Sequence, residues 1–233
     1  MKHPFFSLVC VAASVVGLGG AASAADPAHP VVVELFQSQG CSSCPPANAN
    51  VLAIADRPDV LALSFGVTYW DSLGWKDTFA SPGFTSRQWD YAHGFGHDSV
   101  FTPQIVINGR RDGVGIDRAE LQRLIVAGDR GDTGPALSVK GANIVIAAAP
   151  ARQNADVWLV RYDPRIVQVP IRRGENGGRT LPHKNVVREL TRLGQWYGGA
   201  ETLALPRSTD PALRTAILVQ NRGGGAIIAA ARI

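Results

Sequence analysis

"PVVVELFQSQGCSSCPPANANVLAIADRP" (residues 30–58) decides how the chain folds. It opens on an apolar, β-branched run, passes through polar residues to Gly40, and then sets Cys41 and Cys44 either side of two serines. The run predicts a buried strand, and the polar residues a loop. Beyond the cysteines, Ala47, Val51, Leu52, Ile54 and Ala55 recur at helical spacing, and Pro58 marks an exit. Pro45 and Pro46 fall in the first turn, where a missing amide hydrogen costs little. The pair is therefore expected at the mouth of a helix, with Cys41 outermost and Cys44 one turn deeper.

Working outward, "DVLALSFGVTYWD" (59–71) predicts a second apolar strand. "FTPQIVINGRRDGVG" (101–115) predicts a strand over Gln104–Ile107, an Asn108-Gly109 turn and a short return strand. "DRAELQRLIVAGD" (117–129) predicts a helix with Leu121, Leu124 and Ile125 on one face and Gly128 near its end. Between these lies an aromatic-rich insertion, 72–100, helical near Ser86 to Ala92. After "GDRGDTGPA" (128–136) the pattern changes to short alternating segments, which predict a β-sandwich. "NVVRELTRLGQW" (185–196) fits either a helix or a strand, and its glycine-rich flanks favour a strand. The expected architecture is α/β: a domain over about 25–133 with parallel pairing at its centre, then a β-rich domain over about 134–233.

The N-terminus has a different purpose. Lys2, an apolar run from Phe5 to Leu18 and Ala22-Ser23-Ala24 have the layout of a cleaved secretory signal peptide over 1–24. The run is too short to span a bilayer. Val9 precedes Cys10 where a lipoprotein signal needs a small residue, and the apolar run continues past it. Cleavage leaves Ala25 first and removes Cys10, so the exported chain carries only Cys41 and Cys44. The expected location is periplasmic or secreted, where disulfides persist. Two cysteines in over 200 residues make no disulfide framework, so a hydrophobic core must hold the fold. The formal charge of +4 falls to +3 with Lys2 and is spread along the chain. No basic run interleaved with aromatics speaks for nucleic acid.

What can the pair do? Residues three apart at a helix start are within disulfide reach, and free amide hydrogens there favour a thiolate. Cys41 would attack and Cys44 would resolve the mixed disulfide. As a staple the bridge is weak, since a four-residue loop gives roughly 2 kcal/mol. Haem attachment needs a histidine where Pro45 stands. Structural zinc needs a second ligand pair. Copper(I) held by two thiolates and a histidine, with His93 and His97 as candidates, remains an alternative. A permanent disulfide in a non-catalytic binding module is another. No cofactor is expected, and the partners of the leading reading are protein thiols and disulfides and a redox partner protein. That reading requires Cys41 to be ionisable, reachable and close to the second motif described next.

"VVVELF…GCSSCPPANANVL", followed about 60 residues later by "FTPQIVINGR", resembles the thioredoxin superfamily. The resemblance implies a cis bond before Pro103 beside the cysteines. It also implies that the Thr102 backbone pairs with an extended substrate as an added strand. "SQGCSSCPPA", "YWDSLGWKD", "RQWDYA", "TPQIVINGR", "GENGGRTLPHKNVVREL" and "LGQWYGG" together resemble the bacterial secreted-protein family of domain of unknown function 1223. That resemblance covers nearly the whole exported chain. It implies a thioredoxin-like domain with a β-rich extension and no established activity. The family often has histidine and aspartate where this chain has Gly66 and Thr68.

Several residues depart from thioredoxin itself. Ser42-Ser43 offers hydroxyls to a thiolate but no charge. Glu34 lies within about one residue of where thioredoxins keep a buried carboxylate. It is a candidate proton acceptor for Cys44, with a solvated strand-end glutamate as the plainer reading. Trp70, Trp75, Phe79, Phe84 and Trp89 either line a groove or pack a core. "GENGG" (174–178) is expected to be a hairpin loop. The function expected is an exported thiol–disulfide oxidoreductase acting through Cys41 and Cys44, with Thr102 and Pro103 holding substrate.

Overall fold

The computed structural model describes residues 25–233, so the leader expected over 1–24 lies outside the described residues. Strands β1 (Val31–Gln37) and β2 (Val60–Gly66) pair in parallel, connected by helix α1 (Cys44–Ile54). The insertion then forms a 3-10 turn at Asp71–Leu73 and helix α2 (Pro82–Phe95). This helix is longer than the expected Ser86–Ala92 because both ends are capped. Ser81 accepts from the Gly83 amide, Pro82 fills the first turn, and Gly96 closes it at φ 75°. Strand β3 (Gln104–Ile107) runs antiparallel to β1 and turns through Asn108-Gly109, both at positive φ, into β4 (Arg111–Gly113). Helix α3 (Arg118–Gly128) follows, capped by Asp117. This arrangement is thioredoxin-like.

The rest is β-rich, as its alternation predicts: β5 (Leu137–Lys140), β6 (Asn143–Ile146), β7 (Ala155–Asp163), β8 (Val167–Pro170), β9 (Thr180–His183), β10 (Val186–Trp196), β11 (Glu201–Ala204), β12 (Arg214–Asn221) and β13 (Ile227–Arg232). The ambiguous segment 185–196 is a strand, β10. A small sheet, β11-β6-β5, covers one face of β7, β10, β12 and β13. Ile144, Ile146, Val157, Leu159, Trp196, Ile217 and Val219 fill the space between, giving the sandwich-like layer. The C-terminal strands also extend the first sheet. Val186 of β10 lies beside Ser64 of β2, so one eight-stranded sheet runs β13-β12-β7-β10-β2-β1-β3-β4. Hairpin β8–β9 stands apart, with Val169, Ile171 and Leu181 packed on Trp75 and Phe79.

Period-two alternation divides β1 between two cores. Val31, Val33 and Leu35 meet Ala47, Val51 and Ala55 of α1, and Leu121 and Ile125 of α3. Val32 and Phe36 face the other way, towards Phe84 and Tyr91 of α2 and towards Val160 and Leu218 of the C-terminal strands. The two halves of the chain therefore share a core as well as a sheet. At the end of β2, Gly66 bridges to Ala80, and a Cβ there would stand 2.8 Å from the Ala80 nitrogen. That close approach leaves no room for a larger residue with this backbone.

Candidate functional site

Cys41 and Cys44 form a disulfide with Cα atoms 5.5 Å apart. Helix α1 begins at Cys44, with Ser43 at its cap and Pro45 and Pro46 in its first turn. Cys41 thus lies in the turn ahead of the helix rather than on its first residue, and its carbonyl accepts the Cys44 amide at 3.3 Å. The Thr102-Pro103 bond is cis and comes from the loop entering β3. The Thr102 hydroxyl donates to Cys41 Sγ at 3.4 Å, and Thr102 O is 3.9 Å from the same sulfur. Ser43 Oγ lies 3.3 Å from Cys41 Sγ. The fold therefore brings together the two motifs that the sequence separates by 58 residues, from Cys44 to Thr102.

Around the sulfur the polar groups are oriented by their neighbours. The Trp70 indole donates to Thr102 Oγ1 at 2.7 Å, occupying an acceptor site and leaving the hydroxyl proton for Cys41. The Trp75 indole donates to Gln39 Oε1 at 2.9 Å. These two tryptophans brace the cysteine loop. Phe84 belongs to the core beside α2, Phe79 to the hairpin cluster, and Trp89 is partly exposed against His93.

Cys41 is 0% exposed and Cys44 2%. The expectation that Cys41 is reachable fails for this conformation, in which a loop from the far half of the chain is hydrogen-bonded to the cysteine loop. The turn between β8 and β9 holds "GENGG", the expected hairpin loop, but its contacts were not legible in sequence. Glu175 accepts from the Ser42 amide at 3.0 Å and the Ser42 hydroxyl at 2.7 Å. These two donors hold the Glu175 carboxyl below its usual range, the hydroxyl contributing most. Asn176, 0% exposed, donates to the carbonyls of Gln39 at 2.9 Å and Cys41 at 2.8 Å.

Glu34 is not brought to the cysteines. It shares the α2 face of β1 with Val32 and Phe36, whereas α1 covers the opposite face. It is neither solvated nor beside Cys44. Its oxygens accept from Arg87 Nε at 2.7 Å and Arg87 Nη2 at 3.2 Å, and from the Tyr91 hydroxyl. Both partners are buried. The offset of one residue noted in the sequence is decisive here, because one step along a strand changes the face.

The residue of β1 that does face α1 at this end is Gln37. Its Nε2 lies 2.6 Å from Ser64 Oγ, 3.2 Å from Asn48 Oδ1 and 3.3 Å from His183 Nδ1. His183 is buried, its Nε2 has no hydrogen-bond partner, and burial lowers its pKa to about 4. A lone histidine in a strand gave no sequence signal of this placement. The consequence for stability has a definite sign. The folded chain holds a neutral imidazole, while the unfolded chain takes up a proton near the ordinary value of 6.5. Stability is fully present above that value and falls as pH drops towards 4. Wild type is expected to lose about 3 kcal/mol more than His183→Gln between about pH 7 and pH 4 in urea unfolding. Equal losses would contradict the neutral, buried imidazole.

His93 and His97 do not join the cysteines. His93 packs on Trp89, and His97 Nε2 lies 2.9 Å from Asp112 Oδ2. Among the described residues, no group of three or more histidine, cysteine or acidic side chains has a metal-binding arrangement. Nor, among them, is any helix long and apolar enough to cross a membrane.

Solved structures with this architecture exist. Protein AGR_C_4864 from Agrobacterium tumefaciens is 32% identical, with a TM-score of 0.71 over 87% of this chain and 93% of that one. HBP35 of Porphyromonas gingivalis matches at a TM-score of 0.59 over 88% of this chain and 74% of that one, and at 14% identity it shares the fold alone. No functionally curated protein matches. The family model described as "Protein of unknown function (DUF1223)" matches residues 32–220, and the chain belongs to that family.

Proposed function

We propose that this protein is an exported thiol–disulfide oxidoreductase acting on protein thiols through Cys41 and Cys44. The observation that carries the reading is the cysteine pair lying against Thr102 and cis-Pro103, with the Thr102 hydroxyl 3.4 Å from Cys41 Sγ. A permanent staple would gain little from a loop this short. It would also have no need of a hydroxyl aimed at one sulfur.

In the reducing direction the Cys41 thiolate attacks one sulfur of a substrate disulfide. The S–S bond breaks, the other substrate sulfur leaves as a thiolate and takes a proton, and a mixed disulfide forms on Cys41. The Cys44 thiolate then attacks Cys41 Sγ and releases the second substrate thiol. The substrate disulfide gains two electrons and two protons, and the protein dithiol becomes the disulfide seen in the structure. A protein dithiol reverses each step in the oxidising direction. The Thr102 and Ser43 hydroxyls stabilise the Cys41 thiolate, and the Thr102 backbone with Pro103 receives the substrate strand. The leader expected over 1–24 supports a periplasmic or extracellular setting for the reaction.

Serine hydroxyls supply hydrogen bonds but no positive charge, so the thiolate is stabilised only moderately. A titration against a dithiol buffer is expected to give a potential nearer thioredoxin's, about −270 mV, than a strong oxidant's, about −120 mV. A value at the oxidant end would contradict this electrostatic reading. A value far below about −300 mV, resistant to glutathione, would instead favour the permanent disulfide of a binding module.

A further inference from the structure

We propose that the tip of hairpin β8–β9, residues 172–179, is a lid that gates Cys41, with Glu175 as its latch and Asn176 as a positioning residue for the cysteine loop. The inference rests on the redox reading above and concerns how that site is reached. Its basis is the conflict between a sulfur that must be attacked and a residue that is 0% exposed.

The contacts divide the tip into an anchor and a latch. Asn176 is the anchor. Fully buried, it donates to Gln39 O and Cys41 O, and it accepts from Arg179 Nη1 at 2.8 Å. Those bonds fix the backbone on which Cys41 sits, because both carbonyls precede the helix and need donors from elsewhere. Glu175 is the latch. It is exposed, yet its carboxylate accepts both the amide and the hydroxyl of Ser42, the residue between Cys41 and the helix cap. Exposed hydrogen bonds of this kind open at low cost, whereas the buried ones do not.

The chain around the latch is suited to movement. Gly174, Gly177 and Gly178 flank Glu175 and Asn176. Gly174 sits at φ +75°, and a Cβ there would meet Trp75 Cβ at 3.2 Å. Glycine thus permits both the left-handed turn and the close seat on Trp75. The hairpin itself is a separate two-stranded sheet, held by a small apolar cluster and, at its base, by contacts of Pro182 and His183 with Asn48 and Gln37. Releasing Glu175 while Asn176 stays anchored disturbs neither the eight-stranded sheet nor its cores. A partner engaging Ser42 would displace the Glu175 carboxylate and uncover the sulfur in the same motion.

The test is the rate at which dithiothreitol reduces the intact disulfide. Its thiolate attacks Cys41 Sγ, Cys44 leaves as a thiolate, and the second reagent thiol closes the cyclic disulfide and frees Cys41. Glu175→Ala is expected to react roughly tenfold faster than wild type, because the exposed latch no longer holds Ser42. Glu175→Gln keeps an oxygen acceptor for Ser42 and is expected to stay within about threefold of wild type. An alanine variant that reacts at the wild-type rate overturns the lid. A glutamine variant as fast as the alanine variant overturns the latch, because it assigns the effect to charge repulsion of the incoming thiolate. Both readouts use a small thiol, so they stand whether or not the protein exchanges with protein partners.

Discussion

Glu34→Gln is expected to cost about 3–5 kcal/mol of stability while leaving the pH profile of disulfide exchange unchanged. The carboxylate lies at the centre of a buried ionic cluster. Arg87 reaches it through Nε and Nη2, and Nη2 also donates to the Tyr91 hydroxyl at 2.9 Å. The guanidinium carbon lies 5.1 Å from the Tyr91 ring centre and 5.6 Å from that of Trp158. Burial works against the Arg87 charge, but Glu34 and Tyr91 outweigh it and hold the guanidinium above its usual range. With the carboxylate charge removed, the cation stays buried against rings, a phenol and a neutral amide oxygen, with Asp90 as its remaining acidic neighbour, an incomplete compensation. Urea unfolding of wild type and variant, with equal m-values, measures the difference. A loss under about 1 kcal/mol would mean that the pair behaves as if solvent-screened. A displaced exchange profile would return Glu34 to the mechanism.

The thioredoxin-like half was legible because its signals are local. Val31–Val33, the proline pair after Cys44 and the Asn108-Gly109 turn each specify their own element through backbone preferences. The Thr102–Cys41 contact was legible only through the order of two motifs. What the sequence hid depends on distant pairing. That β10 joins β2 at Val186 and Ser64 follows from no local pattern, since alternation tells a strand's faces and not its neighbours. Glu34 is hidden for a related reason: a carboxylate in an apolar run can be assigned a face only once register is known. Glu175 and Asn176 look like ordinary turn residues, and their bonds to Ser42, Gln39 and Cys41 span over 130 positions. The insertion shows its helix but not its length, because the start depends on the Ser81-Pro82 cap ahead of the apolar pattern.

Cys41→Ser is expected to abolish exchange with protein thiols while lowering stability by only about 2 kcal/mol, the gain from closing a four-residue loop. The asymmetry separates a redox centre from a staple, for which the stability change would be the whole effect. Cys44→Ser should behave differently from Cys41→Ser. Attack through Cys41 remains possible, but the resolving sulfur is gone, so the mixed disulfide cannot be discharged from within the protein. The most direct measurement is therefore to express the full chain with Cys44→Ser, quench with acid and alkylate, and look for disulfide-linked adducts on non-reducing gels. Adducts on Cys41 that vanish with reductant and are missing from the Cys41→Ser, Cys44→Ser double variant are the predicted result. A Cys44→Ser protein that carries no adduct, with Cys41 recovered as an unreacted thiol, would contradict the proposed exchange.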